Sequence, residues 1–268
     1  MDDLSGTEKH PIQAGIWSIS ENKTTIDIHA EKAQLLFDQV AHNARSIGMK
    51  INAAKTQLLC TTTAINYEIR SFIYADGIKV ESSDTLKLLG YHLGRRPRPD
   101  AHVTQIRRKF AARSWILRIL KHAGIGSSCL VKVYCSLVRP ILEYPSNVFH
   151  PMLSEDLSES LERLQRVALK SIFGLDVSYE SCLEQADIQR LDHRRQELFE
   201  AFTKKMSELP LFAPTWFPIK QPSRYALRRQ DKYVQEFANC QRLQNAPIYA
   251  MRRLLNKTAA NDQWTYNE

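Results

Sequence analysis

The chain has 268 residues, of which 43% are hydrophobic and 25% are charged. This is enough apolar material for one large domain or two small ones, and it excludes a disordered tail. The formal net charge is +8. Such a charge favours a polyanionic partner, because each Lys or Arg that neutralises a phosphate releases condensed counterions.

The sequence offers no membrane or zinc signal. No apolar run approaches the roughly 18 residues of a membrane span, and the N-terminus is acidic where a secretory signal is basic and then apolar. We therefore expect a soluble intracellular protein, in the nucleus or the cytoplasm. The 5 cysteines are scattered, without a C-x-x-C pair, which favours reduced, mostly buried thiols over a zinc site.

The first helical pattern lies in AEKAQLLFDQVAHNARSIG. Its apolar residues recur every three or four positions, and Gly48 stands where a helix C-terminus favours a left-handed residue. This predicts a helix at about residues 31–47.

Strand patterns follow this helix. Residues 57–62 favour a strand, and apolar residues alternate on both sides of Asp76-Gly77, a pair that tolerates the positive φ angles of a type I′ turn. A strand and then a β-hairpin are predicted. Residues 86–93 predict a further strand, and RRPRPD after it predicts a stiff basic linker.

Helical periodicity dominates after the linker. Asp100 is predicted to cap a helix that ends at Gly124, and Ser154 a later helix that ends at Gly174. Further helices are predicted at about 128–143, 179–186 and 191–207. The solvent face of the helix that follows Asp100 is predicted to be basic. Its cations are Arg107, Arg108, Lys109, Arg113, Arg118 and Lys121.

The stretch LPLFAPTWFPIKQPSRY is rich in proline and aromatic residues. We expect it to lie against the helical bundle and to lead to a last helix at about 228–255, interrupted at Pro247. Two interpretations stay open for the aromatic residues of this stretch and of the segment after it. Trp216, Phe217, Tyr225 and Tyr233 stack on unpaired bases, or they pack this arm onto the bundle.

Several segments, taken in order, resemble one protein family. They are MDD at the start, GMKINAAKT, LKLLGYHLG, LVRPILEYPSNVFHPML, LERLQRVALKSIFG and NAPIYAMRRLLNK. This series resembles the C-terminal part of the reverse transcriptases of non-long-terminal-repeat (LINE-type) retrotransposons. The resemblance runs from the first residue nearly to the last, and it implies an RNA-directed DNA polymerase ancestry.

The resemblance implies a catalytic metal pair at the N-terminus. The family's aromatic-x-Asp-Asp turn binds Mg²⁺, and Asp2 and Asp3 match its carboxylates, with Met1 at the x position and the aromatic residue absent. Lys55 in GMKINAAKT matches a position near the triphosphate of the incoming nucleotide, where it neutralises charge or donates a proton. The alternative for Lys55 is an ordinary surface lysine after a turn.

The resemblance also implies contacts with a template–primer duplex. LKLLGYHLG resembles the primer-grip hairpin, in which Leu89 and Gly90 approach the primer strand. The linker and first thumb helix would contact the duplex backbone through Arg95, Arg96, Arg98, Arg107, Arg108, Lys109 and Arg113. The alternatives are a plain core strand and a solvated charged helix face.

The expected fold is α+β. A truncated palm sheet spans residues 1–98, a helical thumb-like domain spans 99–208, and a basic arm with a C-terminal helix spans 209–268. A further aspartate and the fingers precede the catalytic turn in the family, so we expect no polymerase activity from this chain alone. We also expect an exposed strand edge and apolar face before residue 98 that dock the missing polymerase portion or another chain.

Two other functions remain open at this stage. The chain is a non-catalytic nucleic-acid-binding module, or it is an interaction protein or a pseudogene product without a function. Binding whose affinity falls steeply with salt distinguishes the first from the second.

Overall fold

The computed structural model describes residues 23–61, 71–96, 98–221, 231–236 and 241–264. The chain divides into two compact units, Met1–Pro97 and Arg98–Glu268, which we call unit 1 and unit 2. Its fold is mixed α and β, and in the described residues the β structure consists of two small antiparallel sheets. The segment 209–268, predicted as a basic arm with a C-terminal helix, lies in unit 2 with the helical bundle.

The first described element of unit 1 is α1, Lys23–Ser46. The helix starts eight residues before the predicted position. The prediction missed its first turns because they contain β-branched residues, which lower helix propensity but do not forbid a helix. Its end is as predicted, since Gly48 follows it with a φ angle of 78°.

A short turn and a single bridge replace the strand predicted at 57–62. The 3₁₀ turn Ala53–Lys55 is capped by Asn52, whose side-chain oxygen accepts the Lys55 N–H at 3.3 Å. Beyond it, Leu58 forms only an isolated parallel bridge with Ser82. The strand prediction is therefore wrong within the described residues.

Two β-hairpins follow in the described part of unit 1. β1 (Phe72–Ala75) pairs with β2 (Ile78–Glu81) around Asp76-Gly77, whose φ angles are 49° and 78°, so this predicted hairpin is confirmed. The single strand predicted at 86–93 is wrong, because the segment folds back on itself as β3 (Thr85–Leu88) and β4 (Tyr91–Gly94). The reversal occurs at Leu89-Gly90, where both φ angles are positive.

Helix α1 covers part of the free edge of β1. The Gln34 side chain donates its amide N–H to the Tyr74 carbonyl at 3.0 Å and accepts the Tyr74 N–H at 2.6 Å. Arg45 forms an ion pair of 2.8 Å with Asp76 in the turn. The strand edge that the sequence led us to expect as exposed is therefore occupied at Tyr74 by a side chain of the same unit.

Unit 2 opens with α2, Asp100–His122. Asp100 is the first residue of this helix and not its cap, because the chain enters the helix at Pro99 without a side-chain cap. The carboxylate still lies in the first turn, where the helix dipole favours negative charge. The predicted end is confirmed, since Gly124 has a φ angle of 79°.

The helix predicted at 128–143 contains a π-helical turn. α3 (Ser127–Val133) passes through the π turn Tyr134–Val138 into α4 (Arg139–Glu143). Pro140 lacks an N–H and its ring crowds the preceding turn, which accounts for the wider turn before it.

The remaining helices of the bundle follow the predicted order. α5 (Ser146–Phe149) and a 3₁₀ turn (His150–Met152) lead to α6, α7 and α8, which confirm the helices predicted in these regions. Their bounds are Glu155–Phe173, Tyr179–Ala186 and Leu191–Glu208. Ser154 caps α6 as predicted, accepting the Leu157 N–H at 3.3 Å.

The C-terminal segment packs onto α8. It contains α9 (Ala213–Trp216), α10 (Gln241–Gln244) and α11 (Pro247–Trp264). Pro247 therefore begins the last helix, where its missing N–H has no cost, and does not interrupt one. Phe217 and Met251 are buried with Phe199 and Met206 of α8.

Most of the described C-terminal aromatic residues pack in the cluster formed with α8. Trp216 and Tyr233 lie against the same cluster as Phe217. Asn256 of α11 accepts the Tyr233 N–H at 2.9 Å and donates to the Tyr233 carbonyl at 3.1 Å. Of the four aromatic residues predicted to stack on bases or to pack, Tyr225 lies outside the described residues, and the other three pack.

A buried polar network joins α6, α7 and α8. The Glu162 carboxylate accepts the Tyr179 hydroxyl and the backbone N–H groups of Leu191 and Asp192, both at 3.2 Å. It thereby satisfies the first N–H groups of α8 from inside the core, where Glu162 is 1% exposed. The pKa of Tyr179 is raised, mainly by burial and further by the Glu162 carboxylate.

Candidate nucleic-acid interface

Helix α2 is anchored along one side. Val103, Ile106, Phe110 and Leu117 are buried on that side. His102 is 2% exposed, and its Nε2 lies 3.2 Å from the Tyr144 carbonyl. The helix packs against α3, α4 and α6. Its remaining surface is consequently held in place by a closed core.

The solvent side of α2 concentrates positive charge. It carries six exposed cations, while Asp100 is the single acidic residue of the helix. The side chain of none of the six forms a hydrogen bond or an ion pair with any residue in the described part of the chain. The six are Arg107, Arg108, Lys109, Arg113, Arg118 and Lys121.

Several arginines of unit 2 differ from the α2 cations, because acidic partners hold them. On α6, Arg163 lies 3.7 Å and Arg166 3.4 Å from Glu159. Ion pairs of the same kind also hold Arg139, Arg190, Arg194 and Arg252. The cations of α2 are thus available to an external anion, and those of the ion pairs are already neutralised.

The α2 cations do not form the single basic face that the sequence predicted. Successive helical residues are rotated by about 100°, so Arg107, Arg108 and Lys109 point in three directions. Arg107 and Arg118 lie along one margin of the solvent side. Lys109 and Arg113 lie along the opposite margin.

Arg108 and, about one to three turns further along the helix, an apolar strip occupy the space between these margins. Trp115 is 48% exposed and Ile119 is 51% exposed, and the exposed Ala111 and Ala112 lie beside them. We did not predict this strip from the sequence. Its signal is present there, since Trp115 and Ile119 are four residues apart and out of phase with the buried residues.

The predicted primer-grip residues form a hairpin tip in unit 1. Leu89, at a φ angle of 48°, is 87% exposed, and Gly90 follows it at 87°. Arg95 lies after β4, and its guanidinium is 2.6 Å from Asp84 with the side chain 23% exposed. Arg96 is exposed in unit 1, and Arg98 is exposed in unit 2.

The predicted metal pair cannot be placed. Asp2 and Asp3 lie outside the described residues. Within the described part of the chain, no group of three His, Cys, Asp or Glu side chains is arranged to hold a metal ion. Lys55 is exposed at the end of its 3₁₀ turn. The Mg²⁺ that the resemblance implies therefore stays a prediction.

The cysteines are less buried than the sequence suggested. Cys182 is buried, Cys60 and Cys135 are partly buried, and Cys129 is exposed, while Cys240 lies outside the described residues. Burial raises the pKa of the Cys60 thiol, against the opposing hydrogen bonds of Ser82 and Ser71. A raised pKa disfavours the nucleophilic thiolate form.

Comparison with known proteins leaves the family open. No protein-family model, no curated protein and no solved structure matches the chain. Among the helices of the described residues, none has the length and apolar character to cross a membrane.

Proposed function

We propose that the chain derives from a retrotransposon reverse transcriptase and that its unit 2 binds a template–primer duplex through α2. The order of the segments resembling that family supports the ancestry. The exposed cations of α2 support the binding. Polymerisation is not part of the proposal, which concerns binding of the duplex backbone.

The observation that carries this proposal is the difference between two groups of cations in one unit. Those of α2 have no anionic partner in the described residues, whereas Arg163 and Arg166 of α6 are paired with Glu159. Unpaired like charges on one helix repel each other, at a cost that an external polyanion removes. Nucleic acid is the polyanion that the family resemblance names.

The test is a fluorescence-anisotropy titration of a labelled RNA–DNA hybrid at several salt concentrations. We expect the logarithm of the affinity to fall linearly with the logarithm of the salt concentration, by roughly 0.9 for each neutralised phosphate. The triple variant Arg107→Ala, Arg108→Ala, Lys109→Ala should weaken binding and reduce this slope by about 2 to 3.

Arg163→Ala provides the matched control, because Arg163 is an exposed cation of the same unit that already has an acidic partner. It should leave both the affinity and the slope close to those of the parent. Absence of salt-dependent binding by the parent chain would remove the proposal. A primer-extension assay with Mg²⁺ on the same sample separates binding from synthesis, and DNA synthesis lost in Asp2→Ala would show that the activity extends beyond binding.

A further inference from the structure

In the described residues of unit 2, the apolar strip of α2 lies outside the buried core. Trp115 and Ile119 point away from the buried stripe of Val103, Ile106, Phe110 and Leu117 and are about half exposed. A large aromatic side chain gains free energy when it leaves water. An exposed tryptophan at the centre of a strongly basic helix therefore points to a surface that receives it.

The charges around the strip define that surface. Arg107 and Arg118 lie along one side of it, and Lys109 and Arg113 lie along the other. An apolar protein partner would have to bring acidic groups to both margins. The groove of a nucleic-acid duplex already has negative charge at both margins, because two phosphate backbones border a floor of sugars and base edges.

We propose that Trp115 is a duplex-contacting residue, which lies against the sugar and base surface of the groove while the marginal cations bind the two backbones. This inference rests on the proposed function of α2. Trp115, with Ile119 beside it, supplies the part of the affinity that does not depend on salt. A single strand offers only one backbone and should bind more weakly.

The cations and the tryptophan can be separated by their dependence on salt. Counterion release sets the slope of affinity against salt, and apolar burial changes the affinity by the same factor at every salt concentration. Loss of the Trp115 contact should therefore lower the affinity about tenfold with an unchanged slope.

The experiment repeats the anisotropy titration on the full chain with Trp115→Ala and Trp115→Phe. Trp115→Ala should weaken binding of the hybrid about tenfold at all salt concentrations, and Trp115→Phe should keep most of the affinity. Leu211→Ala is the matched control, since Leu211 is a 78% exposed apolar residue of unit 2 outside α2. It should bind as the parent does.

A second readout does not depend on the alanine variant. Duplex binding should quench part of the intrinsic fluorescence of the parent, and Trp115→Phe should lose that part. Parent-like affinity of Trp115→Ala, or equally tight binding of a single strand, would overturn the inference while leaving the role of the cations intact. A parent chain that binds no hybrid would overturn both.

Discussion

Units 1 and 2 bury apolar side chains to very different extents. In the described part of unit 1, the buried apolar residues are Ala41, Ile73, Ala75 and Tyr91. Unit 2 buries long aliphatic and aromatic side chains from several helices. Examples are Phe110, Leu117, Leu130, Tyr134, Phe149, Leu161 and Leu169.

Exposed large apolar side chains occur in both units and are denser in the described part of unit 1. Helix α1 leaves Leu35, Leu36 and Val40 exposed, and β1 leaves Phe72 and Tyr74 exposed. Apolar surface of this kind gains free energy when another chain or another part of the same protein covers it. Unit 2 needs no such cover for its core, because its helices already enclose it. The difference teaches that the two units contribute unequally to the buried core of the protein and to its exposed apolar surface.

The largest expected effect tests the closed core of unit 2. Glu162→Ala leaves the Tyr179 hydroxyl and the N–H groups of Leu191 and Asp192 without their acceptor. Each unsatisfied buried group costs about 1–3 kcal/mol, so the free energy of unfolding should fall by about 3 kcal/mol or more. Urea denaturation followed by circular dichroism measures this change.

Glu159→Ala is the control for that prediction. Glu159 lies on the same helix, and its partners Arg163 and Arg166 are partly exposed. Loss of such pairs should cost less than about 1 kcal/mol. Equal effects of the two substitutions would contradict the view that unit 2 is held by a buried polar network.

A smaller effect is expected at a contact that both units share, an amide side chain bonded to the backbone N–H and C=O of a tyrosine. Asn256 clamps both backbone groups of Tyr233 in unit 2, and Gln34 clamps both backbone groups of Tyr74 in unit 1. Asn256 is 3% exposed, whereas the Gln34 contact is open to water. Asn256→Ala should therefore cost about 2 kcal/mol, and Gln34→Ala about 0.5–1 kcal/mol.

Hydrogen exchange of the Tyr74 and Tyr233 amides follows these two losses separately. Each variant should increase the exchange of its own tyrosine amide and leave that of the other unit unchanged. A larger cost for Gln34→Ala than for Asn256→Ala would show that unit 1 is more enclosed than its exposed side chains indicate.

Local patterns were the part of the fold that the sequence could predict. Periodicity and a serine cap placed α6, and the Asp76-Gly77 pair placed the first hairpin. Contacts between distant residues decide the rest. The clamp of Tyr74 by Gln34 joins residues 40 positions apart, and the π turn depends on how Pro140 continues a packed helix.

The candidate interface was predicted by residue type but not by arrangement. The cations of α2 were all named in advance, yet they were assigned to one face although consecutive residues cannot share one. Trp115 was not predicted to lie at the interface, because only the charged residues of the helix were considered. Its position around the helix axis was not compared with the positions of the buried residues. Asp2 and Asp3 lie outside the described residues.

The smallest expected effect concerns the two hairpin tips of unit 1. Both turns have two positive φ angles, but the first position is Asp76 in one and Leu89 in the other. Leucine is unfavourable in the left-handed region, where asparagine is tolerated. Leu89 is also 87% exposed, so its side chain contributes little to folding.

Leu89→Asn should therefore raise the free energy of unfolding of unit 1 by about 0.5–1 kcal/mol. Slower exchange of the β3–β4 amides measures it. Asp76→Leu, the reverse exchange at the other tip, should lower the stability by a similar amount plus the small contribution of the Arg45 ion pair. If Leu89→Asn instead destabilised the hairpin, Leu89 would have a packing role within unit 1. A stabilised hairpin would mean that folding does not require leucine at this exposed tip.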